Sequence, residues 1–191
     1  MAITSRCASE VRPLQGPHCR RCGLPFQGSL TQEFECANCR DRDLSFECAR
    51  AAAVAEGVTL EVIHRYKYQR ALWFEPFLAG LLVHAAAPAL AAEPADLLVP
   101  VPLHPVRQRE REFNQAERLA RCLSTVAQVP LATRLVERTG LTRTQTRLSR
   151  RERSENVDRA FQARPGARLS GQRCVVVDDV LTTGEIGRAH V

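Results

Sequence analysis

Lysine is nearly absent from this chain: of 27 basic side chains only Lys67 is one, and the rest are arginine. In an Ala-rich and Arg-rich sequence of the kind a GC-rich gene encodes, a surviving lysine points to a need for its compact charge. Chance survival explains a single residue equally well. Aromatic residues make up only 5%, which leaves little surface on which bases could stack. Long apolar runs are also missing. Residues 79–92 are interrupted by His84 and Pro88 and followed by Pro94, so they fall short of a membrane span. No apolar signal region follows Met1, and the cytoplasm is the expected compartment.

What is present belongs to a soluble globular protein. Apolar and charged fractions of 45% and 25% exclude wholesale disorder. The length of 191 residues allows one domain, or one domain plus a small module. A net charge of +6 permits polyanionic partners without requiring them. Eight cysteines in a reducing compartment argue for metal binding or buried thiols over a disulfide framework.

The cysteines divide by spacing. Cys19 and Cys22, then Cys36 and Cys39, form two Cys-x-x-Cys pairs separated by thirteen residues. Each pair fits a tight turn that aims both sulfurs at one point, with Gly23 permitting a left-handed step. Four thiolates make a closed tetrahedral site without an open position, so a zinc held here is structural. The alternative is a pair of redox dithiols or an unmetallated loop. His18 is a spare donor, Cys7 has no partner in the pattern, and Cys48 reads as a core thiol.

Residues 1–15 form a lead-in without periodicity, and 41–45 a charged linker. The spacing predicts a strand over 46–55, broken by Gly57, and an amphipathic helix from Val58 to Tyr68 that carries Lys67 near its end. A second helix over 71–86 is expected to stop at Pro88, with 85–95 a loop. Residues 96–102 read as a short buried strand stopped by prolines. Its exit loop, 103–113, carries Arg107, Arg109 and Arg111 at alternate positions. Those arginines face either a ligand or solvent, with Glu110 and Glu112 as partners. Asn114 is placed to cap a helix whose face is Ala116, Leu119, Ala120, Leu123 and Val126. Another strand is expected over 131–139. The Arg-dense stretch 141–156 is a lid or an exposed helix, the latter preferred when it is taken alone. Arg164 to Arg168 is a turn into a fully buried last strand, 174–177, which delivers Asp178 and Asp179 to its end. Thr182, Thr183 and Gly184 then supply hydroxyls and a tight backbone suited to a phosphate. The other reading of that strand end is a plain turn.

The stretch Cys174-Val-Val-Val-Asp-Asp-Val-Leu-Thr-Thr-Gly184 resembles the PRPP-binding motif of type I phosphoribosyltransferases. The wider order of motifs resembles the bacterial ComF family (competence protein F) from Cys19 to Gly184. It comprises the cysteine knuckles, Lys67-Tyr68, Val-Pro-Val-Pro-Leu103, Arg107 and Arg111 before Phe113-Asn-Gln-Ala116, Gln145, Leu148, Arg153, Asn156-Val157 and Ala160-Phe161. Two departures stand out: Glu112 where the family has Gly, and Glu185-Ile186 after the motif.

The resemblance implies an α/β fold with a mostly parallel sheet of type I phosphoribosyltransferase type, incomplete at the C-terminus, behind a small zinc-ribbon module. The expected division is 1–15 lead-in, 16–45 zinc ribbon, 46–184 phosphoribosyltransferase-like domain and 185–191 a non-native tail. Residues 185–191 back-translate to a string that looks like a common sequencing adapter. The implied ligand is PRPP with Mg2+. Leu181, Thr182, Thr183 and Gly184 would hold its 5'-phosphate. Asp178 and Asp179 would hold its ribose hydroxyls. Lys67, Arg107, Arg111, Asn114 and Gln115 would face the pyrophosphate, and Arg153 would arrive on a closing loop to complete the catalytic set. Three functions remain open: phosphoribosyl transfer to an unknown acceptor, a non-enzymatic role in DNA uptake with single-stranded DNA or an uptake protein as partner, or an inert scaffold or partner-binding protein.

Overall fold

The computed structural model describes residues 5–14, 16–26, 28, 34–40, 44, 46–140 and 160–181. Thr182, Thr183, Gly184, Arg153, the proposed lid and the proposed tail lie outside them. The described elements are α1 (Ser5–Ser9), α2 (Ala37–Arg40), α3 (Gly57–Tyr68), α4 (Glu75–Ala92), β1 (Leu97–Pro100), α5 (Pro105–Arg111), α6 (Gln115–Ala127), β2 (Val136–Arg138), β3 (Phe161–Ala163) and β4 (Cys174–Val177). The fold is mixed α/β.

Two parallel strands sit at its centre. β1 pairs with β4 from Leu97 opposite Cys174 to Pro100 opposite Val177, and Leu131 bridges Leu98 in parallel on the other side of β1. β2 and β3 form a separate antiparallel pair, with Arg138 opposite Phe161. The strand expected over 131–139 is therefore split between the two layers. α4 and α6 pack on each other and on the parallel pair. Leu90, Leu98, Ala120, Leu123, Val129 and Val177 make one cluster there. Burying one leucine of such a cluster contributes about 2 kcal/mol.

α6 forms as its sequence suggests. The Asn114 side chain accepts from the Glu117 amide at its start, and Ala116, Leu119, Ala120 and Leu123 are buried at helical spacing. Val126, expected on the same face, is exposed. α3 buries Val62, Ile63 and Tyr66 against Leu78 and Leu119.

Four expectations are corrected. Residues 46–55 form no strand. Their backbone groups are taken by other partners, with Leu14 donating to Ala52, Val54 to Arg12 and Ala49 to Arg21. Cys48, on that irregular segment, is exposed rather than a core thiol. Pro88 lies inside α4, which runs on to Ala92 and replaces the expected loop. Proline's fixed φ is compatible with a helix, the flanking alanines are strong helix formers, and Pro88 and His84 both face solvent, where a freed carbonyl can be hydrated. Residues 103–113 hold the helix α5 in place of an open loop. The His104 ring accepts from the Val106 amide at 3.2 Å, and Pro105 is pre-set for the first turn.

Two smaller differences complete the picture. Leu72–Ala92 is, by length and composition alone, long and apolar enough to cross a membrane. In this fold it packs on α6. β4 is only half-buried: Val177 points into the core, and Val176 on the opposite face is 55% exposed. The turn before β4 follows its sequence. Ala167 donates to Arg164 at 2.9 Å, with Pro165 and a left-handed Gly166 at φ 84 between them.

Candidate functional site

Two constellations emerge, one at each end of the described chain. In the first, the sulfurs of Cys19, Cys22, Cys36 and Cys39 all lie within 4.8 Å of one another. Individual separations are 3.8 Å for Cys19 and Cys39, 3.7 Å for Cys22 and Cys36, and 3.6 Å for Cys36 and Cys39. These are too long for disulfides. They match the roughly 3.8 Å edge of a tetrahedron whose metal–sulfur bonds are about 2.3 Å. The cluster can hold a metal ion.

Local backbone geometry builds this cage. The Gly23 amide donates to Cys19 at 2.9 Å, and the Cys39 amide donates to Cys36 at 2.8 Å. Gly23 has φ +71, and a Cβ there would stand 2.6 Å from the Ala49 carbonyl oxygen, so both conformation and space require glycine. Burial alone would raise the Cys19 thiol, but backbone groups of Cys36, Cys22 and Arg21 bring it down to about 6. Burial and the neighbouring thiols push Cys39 upward. His18 turns away from the cage, with Nδ1 2.9 Å from the Gly16 carbonyl. Among the described residues, neither Cys7 nor Cys48 joins the cluster.

The second constellation lies at the C-terminal edge of the parallel pair. Val101 donates to Val177 at 2.9 Å, one step past the ladder. This places Pro102 and the start of α5 beside Asp178 and Asp179. Lys67 reaches across from the last turn of α3, its Nζ 2.8 Å from Asp179 Oδ2, with side-chain exposures of 17% and 10%. That oxygen has no aligned hydrogen bond, so charge holds the contact. Asp178 Oδ1 accepts from the Asp179 amide at 2.8 Å. Burial, then the charge of Asp179, raises the Asp178 carboxyl to about 7, against the lowering effect of Lys67.

α3 is anchored under this edge. Tyr66 donates to Glu75 at 2.7 Å, and Arg118 forms an ion pair with the same carboxylate. The Arg111 guanidinium stands 5.0 Å over the Tyr68 ring. Glu112 adopts φ 65, a left-handed conformation, and pairs with Arg70 at 2.8 Å.

Curated proteins of similar sequence place the chain in a family. Over 190 residues the chain is 32% identical to competence protein F of Haemophilus influenzae, covering 95% of this chain and 79% of that protein. The chain belongs to the ComF family. It is also 30% identical over 186 residues to the DNA utilization protein YhgH of Escherichia coli O6:H1, covering 96% and 78%. To the competence protein ComFC of Bacillus subtilis it is 25% identical over 183 residues, covering 93% and 71%. No family model and no solved structure matches.

The ComF chain brings some of the expected site residues together and leaves others apart. Lys67, Asp178 and Asp179 are in contact. Leu181 is exposed and lines a cavity of about 340 Å³ with Asp178 and Asp179. Arg107 is paired with Glu110 at 2.7 Å on the surface of α5, one of the solvated partnerships the sequence allowed. Asn114 is fully engaged in structure: it caps α6 with its oxygen and donates its amide to the Val101 carbonyl at 3.0 Å. Gln115 is buried, with its amide nitrogen unpartnered. Arg138 is not singled out by the sequence. At the end of β2, it stands 5.1 Å over the Phe161 ring, where it feels Asp178 as well as Arg111 and Arg107.

Proposed function

We propose that this ComF protein binds PRPP with Mg2+ at the C-terminal edge of β1 and β4, an arrangement suited to phosphoribosyl transfer to an acceptor. In this reading residues 16–45 are a zinc ribbon, 46–184 a phosphoribosyltransferase-like domain in the cytoplasm, and zinc is structural. The observation that carries it is the nearly buried Lys67–Asp179 pair with Asp178 behind it, set at the end of a parallel strand. Ligands of open α/β sheets bind at that edge. Ionised, the two carboxylates accept from ribose hydroxyls. Lys67 then turns to the anion, and Arg107 and Arg111 take the pyrophosphate. The metal would neutralise charge on the departing diphosphate. Thr182, Thr183 and Gly184 would hold the 5'-phosphate, and Arg153 would meet the charge leaving the sugar, so the protein's part is positioning and electrostatic stabilisation. Titrating the protein with PRPP in Mg2+ and in chelator tests it: saturable binding only with Mg2+ is expected, and no binding in either overturns it.

A second reading rests on the names of the relatives and on exposed aromatics. Tyr68, 63% exposed, carries Arg111 on its face, and Trp73 is 56% exposed. Such pairs suit stacking of single-stranded DNA in a basic setting. DNA binding that weakens with salt, survives Asp179→Asn and fails in Trp73→Ala favours uptake without phosphoribosyl chemistry. DNA binding that Trp73→Ala leaves intact overturns it.

A further inference from the structure

The cavity of about 340 Å³ that Asp178 and Asp179 border has no role in the reading above. Part of its lining comes from the cysteine module, through Gly23, Leu24 and Pro25, and part from α3, α4 and α6, through Ile63, Leu78 and Leu119. Polar side chains are few there. Arg50 is engaged by the Arg20 and Ala49 carbonyls, each at 2.9 Å, Thr59 is buried, and the thiols of Cys22 and Cys39 belong to the cage. The two carboxylates remain. Ionised, they can only accept hydrogen bonds, so an occupant matched to this lining has an apolar body and an N–H donor at the end that meets the acids. A carboxylate would be repelled at that end. A nucleobase would set its ring nitrogens and carbonyls against apolar side chains, where they lose their partners in water and gain none. The volume, at the small end of ligand pockets, suits a molecule of one or two rings.

We propose that this cavity is the acceptor site, and that the acceptor is an aromatic amine whose ring packs between the cysteine module and the helices, with its amino group at Asp178 and Asp179. The proposal rests on the PRPP reading for the occupant's role as acceptor, and deepens it by giving the acceptor's chemical class. With the ribose on the acid pair, the transfer balances without a further reagent. The amine nitrogen bonds to C1 as the bond from C1 to the diphosphate oxygen breaks, the diphosphate leaves with that electron pair, and the proton shed by the nitrogen goes to Asp178. The cysteine module is then part of the site.

The probe is 1-naphthylamine at pH 8, where it is uncharged, followed by the fluorescence it gains in apolar surroundings, with PRPP and Mg2+ titrated separately into the same full chain. Saturable binding is expected. 1-Naphthoate, which carries a carboxylate on the same ring, and adenine should each bind at least tenfold more weakly, read by displacement of the probe. Ala51→Leu, which fills the cavity, should weaken the probe at least tenfold. Leu24→Gln alters the lining from the cysteine module and should weaken it about fivefold; this side chain is 47% exposed, and the carbonyl that accepts from the Cys19 amide at 2.8 Å is kept. Absence of saturable binding overturns the proposal, as does unchanged affinity in either variant. Naphthoate or adenine binding as tightly as the amine overturns the class assigned to the acceptor. If the probe binds as expected and PRPP does not, the amine site stands and the PRPP reading falls. If PRPP binds and the probe does not, the PRPP reading stands and this acceptor falls.

Discussion

Asp178 concentrates the chemistry of the sheet edge into one titration. Its carboxyl is raised from 3.8 to about 7 in the folded chain, first by burial and then by Asp179. The folded state therefore holds a proton that the unfolded chain has lost between about pH 4 and pH 7, and stability falls as pH rises through that window. Asp178→Asn should remove the fall. Its melting temperature should exceed that of wild type at pH 8, with the gap closing toward pH 4 in a series of thermal melts. Lys67 acts in the opposite sense. Lys67→Met strips the partner from a nearly buried carboxylate, and denaturant titration should show a loss of about 3 kcal/mol. Sequence composition could single out Lys67 as the only lysine, but not its partner, because the contact joins residues 112 positions apart.

At the scale of elements, two backbone features stand against local propensity. Pro88 sits inside α4 on an exposed face, where it removes a helical hydrogen bond. Pro88→Ala should stabilise the protein by about 1–3 kcal/mol in denaturant titration. Glu112 holds a left-handed φ of 65, and this is the position where the family pattern has Gly. Glu112→Gly should gain about 1 kcal/mol, since the exposed pair it loses with Arg70 contributes less than that. The elements that were legible in the sequence owe their form to near neighbours: the cap at Asn114, the Pro-Gly turn at 165–166, the periodic face of α6 and the two knuckles. Those that were not owe theirs to distant ones. Residues 46–55 have strand-like composition, yet their hydrogen bonds go to Arg12, Leu14 and Arg21, which no local pattern announces. The seat of Arg138 over Phe161 carries no local signal either, because the contact is made across the strand pair.

On the scale of the whole molecule, the cysteine module and the sheet edge are joined through residues 46–56. Gly23 abuts Ala49, Arg50 donates to the Arg20 carbonyl at 2.9 Å, and the same segment leads directly into α3, which carries Lys67. A metal held by the four cysteines would thus also brace the approach to the acid pair. Metal analysis should find one zinc per chain. Chelation should unfold the two knuckles, read as the amide signals of Cys19, Cys22, Gly23, Cys36 and Cys39 collapsing, while Leu119 and Leu123 in α6 keep their protection. The central claim concerns the ligand at the acid pair. Its most direct test is the proton count on PRPP–Mg2+ binding at pH 6, from calorimetry in two buffers of different ionisation heat. Binding through ionised carboxylates should expel about one proton at pH 6, and almost none in Asp178→Asn or at pH 9. Binding without proton release at pH 6, or with the same release in Asp178→Asn, would contradict the placement of the ribose on Asp178 and Asp179.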